Sequence, residues 1–116
     1  LIWLPPSFFY QFIRPELITF LDVSNNFLTF LPEELGSLTN LKTLKASKNR
    51  IEKILTNFKL LKENLHILYL DNNRLPFLPE SIESLTLVYF NCENNPFVVQ
   101  GLDKHIEANQ AERTPP

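Results

Sequence analysis

The sequence has few of the residues on which enzyme and cofactor sites depend. It contains one cysteine and two glycines, so it can form neither an internal disulfide nor a glycine-rich loop that cradles a phosphate. Its two histidines, His66 and His105, have no second metal-ligating residue at a helical or zinc-finger spacing. We therefore expect a protein that is not an enzyme, with no cofactor, no metal and no small-molecule substrate.

Charge and hydropathy argue against two further classes of partner. The formal net charge of −2 and the pI of about 5.7 give no general attraction to phosphate backbones, which argues against nucleic acid. The apolar stretch 1–13 is broken by Pro5 and Pro6 and is shorter than the roughly 20 residues of a membrane-spanning helix, so no membrane contact is expected. Asn-x-Ser/Thr acceptors are absent and Cys92 stands alone, which predicts an intracellular location, in the cytoplasm or the nucleus.

One pattern, L-x-x-L-x-L-x-x-N-x-L, occurs four times in phase. The copies start at residues 18, 41, 65 and 87, and each has apolar residues at the leucine positions. The ninth position is always an asparagine: Asn26, Asn49, Asn73 and Asn95. A short strand cannot bury its apolar face alone, so these copies are expected to stack on one another as a repeat protein.

A second apolar segment follows the first three copies. After the first copy it reads Leu31-Pro32-Glu33-Glu34-Leu35-Gly36-Ser37-Leu38. We expect it to return the chain as a short helix or an irregular extended piece, with proline in the first turn. The segment after the second copy, which begins at Ile54-Leu55, has no proline and has one extra residue before Leu65, which predicts a local bulge near Lys62 to Asn64.

The two segments together resemble the leucine-rich-repeat superfamily, in particular its 23-residue intracellular class with L-P-x-x-L-x-x-L after the asparagine. The resemblance covers about residues 1 to 100. It implies an α/β solenoid, a curved coil with a short parallel β-sheet on the concave face and a convex side that is irregular or built of short helices. The segment 73–79, followed by a shortened last repeat, is also similar to the end of the repeat domain in substrate receptors of cullin-type ubiquitin ligases.

The repeats divide the chain into four parts. Residues 1–17 are predicted to be a truncated repeat or the edge of one, and residues 18–97 hold the four repeats. Because Val98, Leu102 and Ile106 recur at helical spacing, residues 98–109 are expected to form a capping helix, with a tail over 110–116. The sequence has no methionine, and we expect it to be a piece of a longer protein.

Two residue types are assigned structural roles. A buried carboxamide can both donate to and accept from backbone groups of neighbouring turns, so the four asparagines are predicted to form a ladder through the core. Cys92 occupies an inward strand position and is predicted to be a small buried hydrophobe rather than a nucleophile.

The residues between the inward leucines are the candidates for binding a partner. Phe20, Ile67 and Tyr89 share one strand position with Tyr69 beside them, and exposed aromatics are typical of interface anchors. Lys42, Lys45 and Lys48 give the second repeat a basic outer face, whereas Asp71 and Glu93 make the later repeats acidic. The predicted partner-binding set is Phe20, Asp22, Lys42, Lys45, Ile67, Tyr69, Asp71, Tyr89, Asn91 and Glu93.

The favoured function is a protein–protein interaction module, used as an adaptor, a scaffold or the arm of a substrate receptor. A first alternative is the regulatory repeat arm of a larger enzyme, similar to those of messenger-RNA deadenylases or small-GTPase signalling proteins. A second alternative is an extracellular immune-type ectodomain, which would require cysteine-rich caps and glycosylation acceptors.

Overall fold

A computed structural model describes residues 14–96 of the chain, which form six short strands and four short helices. Every helix in this range is a 3₁₀-helix, labelled η. The elements follow the order η1 (Pro15–Leu17), β1 (Phe20–Asp22), β2 (Phe30–Leu31), η2 (Glu33–Ser37), β3 (Thr43–Lys45), β4 (Lys53–Ile54), η3 (Phe58–Leu61), β5 (Ile67–Tyr69), η4 (Glu80–Ser84) and β6 (Tyr89–Asn91).

One strand of each repeat joins a four-stranded parallel sheet, in the order β1-β3-β5-β6. Leu44 of β3 lies opposite Leu21 and Leu68, and Leu68 lies opposite Phe90. Since these partners occupy the same template position, each repeat is one turn of the coil. The parallel sheet and the short helices agree with the expected solenoid, whereas its curvature remains a prediction.

The returning half of each repeat differs from the expectation in its detail. Pro32 and Pro79 are the N-cap residues that precede η2 and η4, so proline stands just before the first turn and not inside it. The segments are only five residues long, and i→i+3 hydrogen bonds close them, as from Leu35 N to Pro32 O at 3.2 Å. A 3₁₀-helix rises about 2.0 Å per residue, which lets a short segment cover more length than an α-helix would.

A second, two-stranded sheet pairs β2 with β4 in parallel, opposite residues being Phe30 with Lys53 and Leu31 with Ile54. The repeat pattern alone did not predict it. The bulge predicted near Lys62 to Asn64 corresponds to a turn at these residues, after which Leu65 N donates to Leu61 O at 2.9 Å.

The core lies between the four-stranded sheet and the 3₁₀-helices. Both halves of the repeat contribute to it, and its largest fully buried side chain is that of Phe58. Ala46 and Cys92, the two small residues at inward strand positions, are also buried. The other fully buried large residues are Leu28, Leu31, Leu35, Leu38, Leu41, Leu44, Ile51, Leu61, Leu65, Leu68, Leu70 and Leu75.

The asparagines at the ninth template position lie beside the turn that follows each strand. Oδ1 of Asn49 accepts from Leu28 N at 3.1 Å, and its Nδ2 donates to Val23 O at 3.1 Å and Ala46 O at 3.2 Å. The side chain therefore joins its own repeat to the preceding one through buried backbone groups, which would otherwise lose their partners.

The other three asparagines occupy equivalent places. Oδ1 of Asn73 accepts from Ile51 N at 3.1 Å and that of Asn95 from Leu75 N at 3.0 Å. Asn26 donates to Val23 O at 2.9 Å within its own repeat.

Several sequence-based assignments fall outside the described residues. These are the capping helix over 98–109, the tail over 110–116 and most of the segment 1–17. The longest helices between residues 14 and 96 have five residues, and none there has the length and apolar character needed to cross a membrane.

Candidate protein-binding surface

We call the outward surface of β1, β3, β5 and β6, together with the charged residues that flank these strands, the sheet face. Its strand residues stand in two columns, a column being the same strand position in successive repeats, and neighbouring parallel strands lie about 4.8 Å apart. One column is Phe20, Thr43, Ile67 and Tyr89, and the other is Asp22, Lys45, Tyr69 and Asn91. The eight residues are partly or fully exposed.

Two tyrosines lie against each other on the sheet face. The rings of Tyr69 and Tyr89 are tilted by 45° with their centroids 4.9 Å apart, within the range of favourable aromatic pairs. Ile67 lies between Thr43 and Tyr89 in its column. Phe20 is 56% exposed and is separated from Ile67 by Thr43.

Lys45 connects this tyrosine pair to Phe20. Its Nζ lies 5.7 Å from the ring centroid of Phe20 and 5.1 Å from that of Tyr69, within the roughly 6 Å over which a cation is attracted to an aromatic face. Phe20, Lys45, Tyr69 and Tyr89 thus form one row across all four strands, which we call the aromatic row.

The positive charges of the sheet face belong to the second repeat. Lys42 directly precedes β3, Lys45 ends it, and Lys48 follows three residues later. Lys42 and Lys48 are exposed. Lys48 has a φ of 56°, in the left-handed region, where the other three repeats place Asn25, Asn72 or Asn94. That conformation costs a residue with a Cβ roughly 1 kcal/mol or more, and asparagine tolerates it better than lysine.

Acidic residues stand on both sides of this basic strip. Asp71 is oriented by its neighbours, since its carboxylate accepts from Ser47 Oγ at 2.5 Å and from Asn72 Nδ2 at 2.9 Å. Glu93 is exposed further along the coil, and Asp22 lies opposite Lys45 on β1. Between residues 14 and 96 the one ion pair joins Arg14 to Glu16 at 2.9 Å, so these charges remain available to a partner.

Asn91 and Tyr89 are linked at the last strand. Asn91 Nδ2 donates to the Tyr89 hydroxyl at 3.3 Å, and Asn91 Oδ1 accepts from Glu93 N at 3.0 Å. Burial raises the pKa of Tyr89 above its ordinary value, and the hydrogen bond from Asn91 opposes this effect; Tyr69, Asp71 and Glu93 raise the pKa further. The phenol is therefore a neutral hydrogen-bonding group at neutral pH.

A second group of exposed residues follows the ladder asparagines, and the sequence-based prediction of the binding surface did not include it. Phe27 is 55% exposed and Phe77 is 66% exposed, and the guanidinium carbon of Arg50 lies 4.8 Å from the ring centroid of Phe27. The signal was present in the pattern, because Phe27 and Arg50 both occupy the variable position between the asparagine and the next leucine.

Comparison with known families agrees with the coil geometry. The family model described as Leucine Rich Repeat matches residues 17–38 and 64–85, which contain β1 and β5 and the segments that follow them. The chain contains leucine-rich repeats. No curated protein matches the sequence. Leucine-rich repeats generally mediate protein–protein interaction and are typically non-catalytic. In the part of the chain that the structure describes, no cluster of three metal-ligating side chains occurs.

Proposed function

We propose that this leucine-rich-repeat chain binds a partner protein through its sheet face, and that this face is the concave side of the coil. The observation that carries the proposal is the aromatic row, in which Phe20, Lys45, Tyr69 and Tyr89 stand side by side on an exposed sheet. Tyrosine and other large aromatic residues are enriched among the few interface residues that supply most binding energy.

The row is held in place before a partner arrives. The strands that carry it are joined in register from Phe20 to Asn91, and the ladder asparagines hold the turns that follow. Immobilising a flexible side chain on binding costs about 0.5–1.5 kcal/mol. Side chains that already lie against one another, as Tyr69 does against Tyr89, lose less of this freedom.

The charges on the sheet face favour a partner with a matching pattern. Lys42, Lys45 and Lys48 form a basic strip, with Asp22 on one side and Asp71 on the other. Such an arrangement orients an approaching protein and raises its association rate more than its final affinity. Lys48 supports a binding role for the strip, because it occupies a strained backbone conformation that asparagine would adopt more easily.

We further propose that the module works inside the cell as an adaptor, a scaffold or the arm of a substrate receptor. A single cysteine, Cys92, buried in the core, and the absence of Asn-x-Ser/Thr motifs support a reducing compartment.

The test compares the partners captured by the wild-type chain, by one triple variant and by one double variant that serves as the control. Phe20→Ala, Tyr69→Ala and Tyr89→Ala together remove the aromatic row. The control, Leu55→Ala with Leu60→Ala, removes apolar side chains that are 54% and 56% exposed on the returning halves of the repeats. Both should keep the circular dichroism of the wild type, because none of the five side chains is buried.

The partners sought are the proteins that the wild type and the control capture and the triple variant does not. A photo-reactive residue in place of Thr43, in the centre of the sheet face, should crosslink to the same proteins. Equal capture by the triple variant, or crosslinks no stronger than from position 60, would place binding elsewhere.

A further inference from the structure

A second column of outward side chains begins immediately after the ladder asparagines. It contains Phe27, Arg50 and Arg74 from three successive repeats. Their backbones are neighbours, since Arg50 N donates to Leu28 O at 2.8 Å and Arg74 N donates to Ile51 O at 2.9 Å. The two arginines therefore stand one coil turn apart, and both are exposed.

Another column runs beside it and consists of the residues three positions later in each repeat. Phe30 lies opposite Lys53 in the two-stranded sheet, and Phe77 occupies the equivalent place in the third repeat. We call the two columns together the flank surface: Phe27, Phe30, Arg50, Lys53, Arg74 and Phe77. It lies beyond the turn that ends each strand of the sheet face.

The flank surface is basic in a chain whose net charge is −2. Arg50, Lys53 and Arg74 are exposed, and Glu52 is the one acidic residue in the segments 27–30, 50–53 and 74–77 that form this surface. Within the described range 14–96 none of these three cations forms an ion pair. Three positive charges thus face solvent with no carboxylate bound to them.

Arg50 is positioned by its contact with Phe27. A guanidinium stacked on an aromatic ring interacts through its face and keeps its five N–H donors for acceptors in its own plane. The guanidinium carbon of Arg50 is 4.8 Å from the Phe27 centroid. The contact holds the cation at the surface, where a carboxylate can accept two hydrogen bonds from it.

We propose that the flank surface is a second binding site, for an acidic segment of a partner protein that also carries apolar residues. Charge complementarity selects the acidic component, since Arg50 and Arg74 stand in one column with Lys53 beside them. The exposed rings of Phe27 and Phe77 select the apolar component. An extended peptide presents alternate side chains on one face about 6.8 Å apart, a spacing that long arginine side chains on adjacent coil turns can reach.

This site is separate from the sheet face. The lysines of the sheet face have Asp22 and Asp71 beside them. On the flank surface the cations stand beside phenylalanines, and Glu52 is the one acidic residue in the segments that form it. A nucleic acid fits the flank surface less well, because three cations on an otherwise acidic chain neutralise few phosphates.

The test measures fluorescence anisotropy of a short labelled peptide of alternating aspartate and leucine, titrated with the full chain. The matched probes are the same peptide with asparagine in place of aspartate and a single-stranded RNA of similar charge. We expect the aspartate peptide to bind more tightly than either probe, with an affinity that falls as salt is raised.

Two variants with equal loss of charge locate the binding site. Arg50→Gln with Arg74→Gln should weaken binding of the aspartate peptide about tenfold. Lys42→Gln with Lys48→Gln, on the sheet face, should change it less than about twofold. Phe27→Ala with Phe77→Ala should weaken both the aspartate and the asparagine peptides.

The proposal is overturned if the aspartate peptide does not bind, if the asparagine peptide binds as well, or if the arginine variant is unaffected. It is also overturned if the lysine variant loses as much affinity, which would move the site to the sheet face. Tighter binding of the RNA with the same arginine dependence would make the flank surface a nucleic-acid site instead.

Discussion

Oδ1 of Asn73 accepts a hydrogen bond of 3.1 Å from the backbone N–H of Ile51, 22 residues earlier in the chain. The same side chain donates from Nδ2 to Ala46 O and Leu70 O, both at 3.0 Å. One carboxamide therefore joins two successive repeats inside the core, where it is 7% exposed.

Replacing Asn73 by leucine should destabilise the chain strongly although the two side chains have a similar shape. The substitution removes the acceptor of Ile51 N and a donor to Ala46 O and Leu70 O, and an unsatisfied buried group costs about 1–3 kcal/mol. We expect the free energy of unfolding, measured by urea denaturation, to fall by about 2–5 kcal/mol for these groups together.

Asn40→Leu is the matched control for this prediction. Asn40 Nδ2 donates to Glu16 O at 2.7 Å, but the bond is exposed, so water can replace the lost donor. This variant should lose less than about 1 kcal/mol. Similar losses for both variants would show that the ladder does not stabilise the core as proposed.

Lys48→Asn should stabilise the chain. Lys48 has a φ of 56° where three other repeats have asparagine at 58–60°, and asparagine tolerates the left-handed conformation better. We expect the free energy of unfolding to rise by about 0.5–1 kcal/mol. Asn72→Lys, the reverse change one repeat later, should lower it by at least as much, because it also removes the hydrogen bond from Asn72 to Asp71. Thermal melts of the two variants test both signs.

A lower melting temperature for Lys48→Asn would mean that the lysine makes a stabilising contact that outweighs its strained backbone. If the variant is more stable but captures less partner in the pull-down, the result would agree with a binding role for Lys48.

The repeat spacing was enough to predict which residues face inward. Leu44 and Leu68 lie opposite each other because both occupy the same place in a repeated pattern, and a period-two alternation leaves their neighbours facing outward. The same spacing puts Phe20, Ile67 and Tyr89 in one column, whereas their part in binding a partner remains a prediction.

Features that depend on contacts between different parts of adjacent repeats were not predicted. The pairing of Phe30 with Lys53 in the second sheet and the contact of Arg50 with Phe27 involve variable template positions. The pattern aligns these positions from repeat to repeat, but it does not specify which of their side chains touch. The position of Pro32 before η2 depends on how much length the return segment must cover, and the pattern of apolar residues does not specify that length.

Phe58→Ala should be among the most damaging core substitutions. Phe58 is the largest fully buried side chain. It occupies the position that Leu35 and Ile82 occupy in the adjacent returning segments. Truncating a buried phenylalanine costs about 3–5 kcal/mol, whereas Phe58→Leu, which restores the residue type of the preceding repeat, should cost about 1–2 kcal/mol.

The exposed neighbour Leu60 is the control, because Leu60→Ala should change the free energy of unfolding by less than about 0.5 kcal/mol. Urea denaturation of the three variants gives the comparison. If Phe58→Leu is as damaging as Phe58→Ala, the aromatic ring makes a specific contact that volume alone does not replace.

The pKa of Tyr89 gives a prediction about the sheet face itself. Burial raises the pKa above the ordinary value of 10.0, and Tyr69, Asp71 and Glu93 add to the effect, whereas the hydrogen bond from Asn91 lowers it. An ultraviolet difference titration between the wild type and Tyr89→Phe should therefore show a tyrosine that ionises above its ordinary range. Asp71→Asn with Glu93→Gln should bring the pKa down, and Asn91→Ala should raise it.

The sign of the stability change follows from the direction of this shift. A group whose pKa is higher in the folded state stabilises that state fully below its unfolded pKa, and the contribution is lost as pH rises through the folded pKa. The wild type should thus lose stability relative to Tyr89→Phe as pH rises above about 10, and the two should respond alike to pH near neutrality. Ionisation of Tyr89 at or below the ordinary value would show that its ring is more solvated than its contacts with Tyr69 and Asn91 imply, and would weaken the case for a preformed aromatic row.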